Sequence, residues 1–588
     1  MIKEFRIKNP NEGCHIDLLE QVLSETLSEW HISVTFENPT VPQPIVLKTY
    51  YPCRDIYTVW GPSMGFNPSL GYSWSKRKTS SRLASGAPLH ALLSQGGRNR
   101  LTFALSDAAT PHEMASGVLE EDGTLECEIR LFTRPISAIT SYEVTLRMDT
   151  ADRPFYESVA EIENWWAEKC GYPRAYVPEA AKLPLYSAWY SFHQRTIPEE
   201  ILEQCRLSKE MGMDVLIVDD GWQTDDGNRG YAFCGDWEVC PSKIPDMKAF
   251  VDAVHALDMK FVLWYSVPFV GTQSKMYQRF SDKVLGHFSG QGDLQWTCLD
   301  PRYPDVRQAL IDIYRNAMVD WGLDGFKLDF IDSFSLASEA SFAYDERRDT
   351  QSLEEGVDKL LDGITKTLRA INPEVLIEFR QSYIGPVIRK YGNMFRVGDC
   401  PADPIKNRVM GVQLRYLLHG SAVHSDMLMW HYEDTPEAAA KEVIPTLITV
   451  PQISVLLHKI PESHRRMLKN YLSFWRAHRD TLIEGKLTAE YPESNYSLVC
   501  AEHPEKRELI AIAYLPVPLT VKNRYERVIL VNGSSEGTVA VRFDVDMPRM
   551  KWRIFDCEGE LVEEGVLVGK GIDDYDVPES GRIEFELL

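Results

Sequence analysis

From residue 183 onward the chain alternates short apolar runs with amphipathic stretches. That rhythm suits a parallel sheet wrapped in helices, because each parallel connection needs a crossover of a dozen or more residues. Eight strand candidates follow one another at 185–189, 215–219, 261–265, 325–329, 375–379, 394–398, 422–426 and 447–453. Helical spacing at 199–211, 247–257, 306–321 and 353–371 separates many of them. Eight such units over about 300 residues predict a (β/α)8 (TIM) barrel, whose chemistry gathers at the C-terminal ends of its strands.

Those ends carry an unusual load. In the stretch from Trp321 to Asp332, Phe326, Leu328 and Phe330 alternate with polar residues, so Lys327 and Asp329 leave the fourth strand on one face. A carboxylate beside a cation that keeps it ionised suits a nucleophile, although a buried structural ion pair reads the same way. Trp189 and Tyr190 close the first strand, Asp219-Asp220-Gly221-Trp222 the second and Trp264 the third. Glu378 and Arg380 close the fifth, Arg396 and Asp399 the sixth, His424 and Asp426 the seventh. Singly, each has a plain explanation as a turn, a core residue or a helix cap. Together they set carboxylates and indoles on one rim.

Composition narrows the class of partner. A formal charge of -23 on 588 residues disfavours nucleic acid and anionic membranes, which are polyanions themselves. The first eight residues mix charges without an apolar run, and no stretch is long and apolar enough to span a bilayer, so a cytoplasmic protein without signal peptide or anchor is expected. Eleven scattered cysteines without a Cys-x-x-Cys pair fit reduced thiols, and the nearest pair, Cys234 and Cys240, lacks the further ligands zinc needs. With no glycine-rich phosphate loop either, no metal or nucleotide cofactor is expected. A homo-oligomer is left open.

The flanks read as β-rich. Alternating runs at 32–36, 101–105 and 125–131 precede the barrel, and others at 497–500, 509–514, 528–531 and 583–587 follow it. The expected domains are 1–175, 176–480 and 481–588. In the first, the aromatic loop from Trp60 to Pro68 is a candidate for stacking on sugar faces or for packing on its own sheet. The pair Trp165-Trp166 reads as core, and the C-terminal domain as a support without a catalytic constellation.

Asp219-Asp220-Gly221-Trp222, Gly235-Asp236-Trp237, Ser242-Lys243-Ile244-Pro245, Lys327-Leu328-Asp329 and Arg396-Val397-Gly398-Asp399 resemble the signatures of glycoside hydrolase family 36, the α-galactosidases, α-N-acetylgalactosaminidases and raffinose-type synthases. The resemblance implies an N-terminal β-supersandwich, a catalytic barrel and a C-terminal β-sandwich. It also implies Asp329 as nucleophile, Asp399 as acid/base, and Asp219 and Asp220 as acceptors for sugar hydroxyls. Two departures stand out: Cys400 follows Asp399, which makes Asp403 a rival acid/base, and Arg380-Gln381-Ser382-Tyr383 replaces the glycine-rich cysteine loop that contacts the C2 side of the sugar.

The chemistry implied is retaining hydrolysis of a small oligosaccharide or glycoside, with one carboxylate at the anomeric carbon and one carboxylic acid at the leaving oxygen. Trp189, Trp222 and Trp264 would wall the sugar, Glu378, Arg380 and Asp426 would contact it, Lys327 would hold Asp329 anionic, and Arg396 would serve substrate or the Asp219 side. A Schiff-base lyase built on Lys327, a transglycosylase using the same carboxylates, and a non-catalytic carbohydrate-binding protein are the alternatives.

Overall fold

The computed structural model describes residues 4–62, 64–65 and 69–588. Its centre is a closed barrel of eight strands in sequence order, here β1 (Leu185–Ser187), β2 (Val215–Val218), β3 (Lys260–Ser266), β4 (Gly325–Asp329), β5 (Leu376–Arg380), β6 (Met394–Arg396), β7 (Ala422–Leu428) and β8 (Val450–Ile453). Every neighbouring pair is parallel, and β8 closes on β1 through Leu185 opposite Gln452. All eight expected strands are present, with ends shifted by a few residues. The first stops at Ser187 because Trp189–Phe192 already turns helical.

Helices cover the barrel where the spacing of apolar residues placed them. Leu353–Ile371 buries Leu353, Val357, Leu360, Leu361, Ile364 and Leu368, one stripe at helical period, and begins at Ser352, whose hydroxyl accepts from the Glu355 amide. Pro304–Trp321 ends at Gly322, whose φ of 75° is a left-handed stop that costs glycine nothing. Between β3 and that helix the chain inserts a three-stranded antiparallel sheet (Phe269–Gly271, Ser289–Gln291 and Leu294–Cys298), which the strand count did not anticipate.

Before the barrel, strands between Arg6 and Asp149 form a five-stranded and a six-stranded antiparallel sheet over a common core that includes Ile32, Val34, Leu47, Phe103, Ile129 and Leu146. Helix Phe155–Glu168 then leads to the barrel, and Trp166, 1% exposed, donates its indole N–H to Leu105 O. After the barrel, eight strands from Lys486 to Leu587 hydrogen-bond as one continuous sheet, with the long strand Val539–Phe555 breaking register twice near Met547 so that it serves partners on both sides. Trp60, at the head of the aromatic loop, is buried and donates to Tyr496 OH, in the connection between the first two strands of this last sheet, so its indole is spent on packing instead of meeting sugar. Residues 63 and 66–68 of that loop lie outside the described residues.

Candidate active site

At the C-terminal rim, β4 delivers Asp329 into a dense set of donors. Its Oδ1 accepts from Arg380 Nε at 2.7 Å, Tyr383 OH at 2.7 Å and the Phe330 amide at 2.7 Å, while Oδ2 accepts from Trp264 Nε1 at 3.0 Å. Phe330 takes φ of 65°, a rare setting for a bulky residue, and there its amide points back at the carboxylate it follows. Burial disfavours the charged carboxyl, yet Arg380, Lys327, Trp264 and Tyr383 outweigh it and hold Asp329 well below the usual carboxylate range.

Lys327 points to the same side but has another partner. Its ammonium donates to Asp219 Oδ2 at 2.6 Å, both side chains being only 5% exposed. Burial opposes its charge, and Asp219 is the chief group that keeps it protonated. Next to it, Asp220 accepts from Gln194 Nε2 at 2.6 Å and Gln223 Nε2 at 2.7 Å. Burial, helped by neighbouring Asp219, nevertheless pushes its carboxyl up to about 6. Gly221 makes this possible: at φ of 109°, a β-carbon there would stand 2.5 Å from Gln194 Cα.

The sixth strand supplies the second carboxylate through Arg396. This guanidinium is 1% exposed and spans Asp426 and Asp399, reaching Asp399 Oδ1 at 2.9 Å. Asp426, fully buried, also accepts from Tyr190 OH at 2.9 Å and the Cys400 amide at 2.6 Å. The Asp399 side chain is 58% exposed, unlike every other carboxylate of the set, and so is free to meet a ligand. Arg396 is the main reason its carboxyl lies below the ordinary range; burial pulls the other way, and Lys327 and Arg380, the cations around Asp329, add to the depression. Asp329 and Asp399 therefore share one electrostatic field.

Several sequence expectations are corrected by these contacts. Asp403 caps helix Pro404–Leu417 by accepting from the Lys406 amide at 2.9 Å, a structural task for the carboxyl that the sequence offers beside Asp399. Trp222 is no sugar wall: it is fully buried among Trp237, Tyr265 and Trp321 and donates to Trp264 O. Trp264, 1% exposed, acts through its N–H on Asp329 and packs between Tyr231 and Trp237. Glu378 is sealed inside the barrel on Gln452 Nε2, and Arg396 lies 3.8 Å from it and pairs with Asp426 and Asp399, not with Asp219. His424 faces Ala181 O at the other end. Trp189, partly exposed beneath the Arg229 guanidinium, and Arg380, whose side chain keeps 17% of its surface, remain open to the rim.

The strand ends do not point to Tyr383, Gln194 or Gln223, whereas Tyr190 stands beside Trp189 at the end of the first strand. Tyr383 stands three residues past the β5 end, and its signal was the run Arg380-Gln381-Ser382-Tyr383 where another loop was expected. Among the described residues no cluster of three or more metal-ligating side chains occurs.

A barrel rim on which a carboxylate held ionised by several donors shares its field with an exposed one has the two-carboxyl equipment of a glycoside hydrolase. Residues 184–383 match the melibiase family model. An α-galactosamine galactosaminidase of Flavonifractor plautii is 29% identical over 135 residues, 20% of this chain and 12% of that protein. An α-galactosidase of Lactobacillus acidophilus is 32% identical over 87 residues, 14% of this chain and 11% of that protein. The chain thus aligns with only about a tenth of the length of these curated relatives. The crystal structure of a Lactobacillus brevis α-galactosidase superposes on the whole chain and 86% of its own, with a TM-score of 0.65 at 15% identity, and the family 36 α-galactosidase AgaA of Geobacillus stearothermophilus does so over 100% and 87% with 0.63 at 14%. Residues 184–383 therefore carry a melibiase-type domain, and the chain as a whole has the fold of these α-galactosidases.

Proposed function

We propose that the protein is a retaining α-galactosidase working by double displacement, with Asp329 as nucleophile and Asp399 as acid/base. The observation that carries this reading is the asymmetry of the Asp329 carboxylate. Oδ1 holds three donors, whereas Oδ2 holds only the Trp264 indole and keeps a lone pair for the anomeric carbon. Asp399 protonates the departing oxygen as Asp329 attacks, then takes a proton from the water that releases the sugar. Because Arg396 favours ionised Asp399, the proton is acquired as substrate fills the site and excludes water from the exposed carboxyl. Asp219, Asp220 and Lys327 offer two acceptors and a cation to adjacent hydroxyls.

The galactose ring is supported by the names of the relatives, and an AgaA structure holding stachyose supports an oligosaccharide as substrate. All eleven cysteines are free, which supports a reducing, cytoplasmic setting, and no helix among the described residues is long and apolar enough to cross a membrane. The test is hydrolysis of aryl α-galactoside, α-N-acetylgalactosaminide and α-glucoside in parallel. The α-galactoside is expected to be cleaved with the highest kcat/KM, and preference for the N-acetyl sugar would reassign the substrate while keeping the mechanism.

A further inference from the structure

The N-terminal β domain reaches the rim at one turn, and it lands on the two loops that carry the donors of Asp329. Arg82 and Ser85 close that turn through paired backbone hydrogen bonds of 2.9 and 3.0 Å. From it the Arg82 guanidinium, 8% exposed, donates to Phe334 O at 2.8 Å and Asp332 O at 2.5 Å, both in the segment that follows β4 and Phe330. Gly86 N donates to Ser382 O at 2.8 Å, and Ser85 Oγ lies 3.1 Å from Ser382 Oγ, in the loop between Arg380 and Tyr383. Ser382 Oγ in turn donates to Asp332 Oδ2 at 2.8 Å, tying the two loops to each other. The backbones approach so closely that a β-carbon on Gly385 would stand 2.5 Å from Gly86 O.

Resting on the assignment of Asp329 as nucleophile, we infer that Arg82 is a positioning residue for the reaction: the turn from Arg82 to Gly86 holds the Phe330 amide, Arg380 and Tyr383 at hydrogen-bonding distance from Asp329. Three donors on one carboxylate oxygen need three fixed origins, and two loops left to solvent would not supply them. The brace is backbone-directed. Arg82 spends its hydrogen bonds on carbonyls, so it ties down loops and does not compete with Arg380 for the Asp329 carboxylate. The charged groups facing Arg82 are Arg134, Glu354 and Asp332, and those facing Asp329 are Arg380 and Lys327, with Tyr383 and Tyr231 beside it.

The test is Arg82→Met in the full chain, read by kcat and KM on an aryl α-galactoside, by the acid limb of kcat/KM, and by carbon-13 NMR titration of the Asp329 carboxyl assigned with Asp329→Asn. The expected result is a loss of about 10- to 100-fold in kcat with KM little changed, the scale of a misplaced reacting group. Both the acid limb and the carboxyl titration should move to higher pH, because lost donors favour the neutral acid. A variant that melts earlier but keeps wild-type kcat and an unshifted titration, measured well below its melting temperature, overturns the inference. Should Arg82→Met not fold, Ser382→Ala cuts the tie between the loops and is held to the same two outcomes. Wild-type protein that cleaves no galactoside would refute the proposed function instead, and the NMR titration would still decide the brace.

Discussion

Lys327 and Asp329 leave β4 on one face, yet the lysine ammonium donates to Asp219 Oδ2 at 2.6 Å while Asp329 takes its closest cation from Arg380 Nε at 2.7 Å. The two charges of that strand thus serve different halves of the site. Lys327→Met should leave Asp219 buried without a counter-charge and cost about 3–5 kcal/mol of stability, read by denaturant unfolding. Arg380→Met should shift the acid limb of kcat/KM upward more than Lys327→Met does, since Arg380 is the larger of the two opposing influences on Asp329. Equal shifts would contradict this division.

The sixth-strand assignment separates by leaving group. Asp399→Ala should be severe for a sugar leaving group and mild in the first step for an activated aryl glycoside, which departs without a proton. Asp403→Ala should lose only a helix cap, about 1 kcal/mol, with unaltered leaving-group dependence. A leaving-group signature in Asp403→Ala would reverse the assignment.

Tyr383→Phe removes one donor from Asp329 Oδ1 at almost constant volume. Its kcat should fall by roughly 10- to 100-fold, the range for one preorganised hydrogen bond lost from a reacting carboxylate. Unchanged kcat at all pH values would mean that Arg380 and the Phe330 amide suffice.

Asp220 gives a pH-dependent stability of defined sign. Its folded carboxyl titrates at about 6, above the unfolded value, so the folded state binds the extra proton. Stability from this group is therefore greatest below the unfolded pKa and declines as pH rises toward 6, by about 3 kcal/mol in all. Thermal melts at pH 4.5 and 7.5 should show that decline reduced in Asp220→Asn. An identical decline in the variant would assign the pH dependence to other groups.

Much of this arrangement was legible in the chain. Short apolar runs with helical stretches between them were enough to place all eight barrel strands, because a parallel strand buried on both faces must be written in apolar residues such as Val215-Leu216-Ile217-Val218. Strand ends then named Asp219, Lys327, Asp329 and Asp399. Which cation meets which anion was not legible: Lys327 and Arg380 are two and zero residues from their strand ends, and only the stagger of β2, β4 and β5 decides that the first faces Asp219 and the second Asp329. Nor did an indole at a strand end disclose whether it stays partly exposed at the rim, as Trp189 does, or lies buried behind it, as Trp222 does. The same limit hid Arg82, whose partners lie some 250 residues away and are backbone carbonyls without a side-chain signal.

The central claim is that Asp329 forms the bond to the anomeric carbon, and azide rescue of Asp329→Ala tests it most directly. With the carboxylate gone and Asp399 intact, azide entering from the vacated side should restore turnover of an aryl α-galactoside and yield β-galactosyl azide, identified by proton NMR. Recovery of the α-configured azide would show that Asp329 is the acid/base, and the account of both carboxylates would be contradicted.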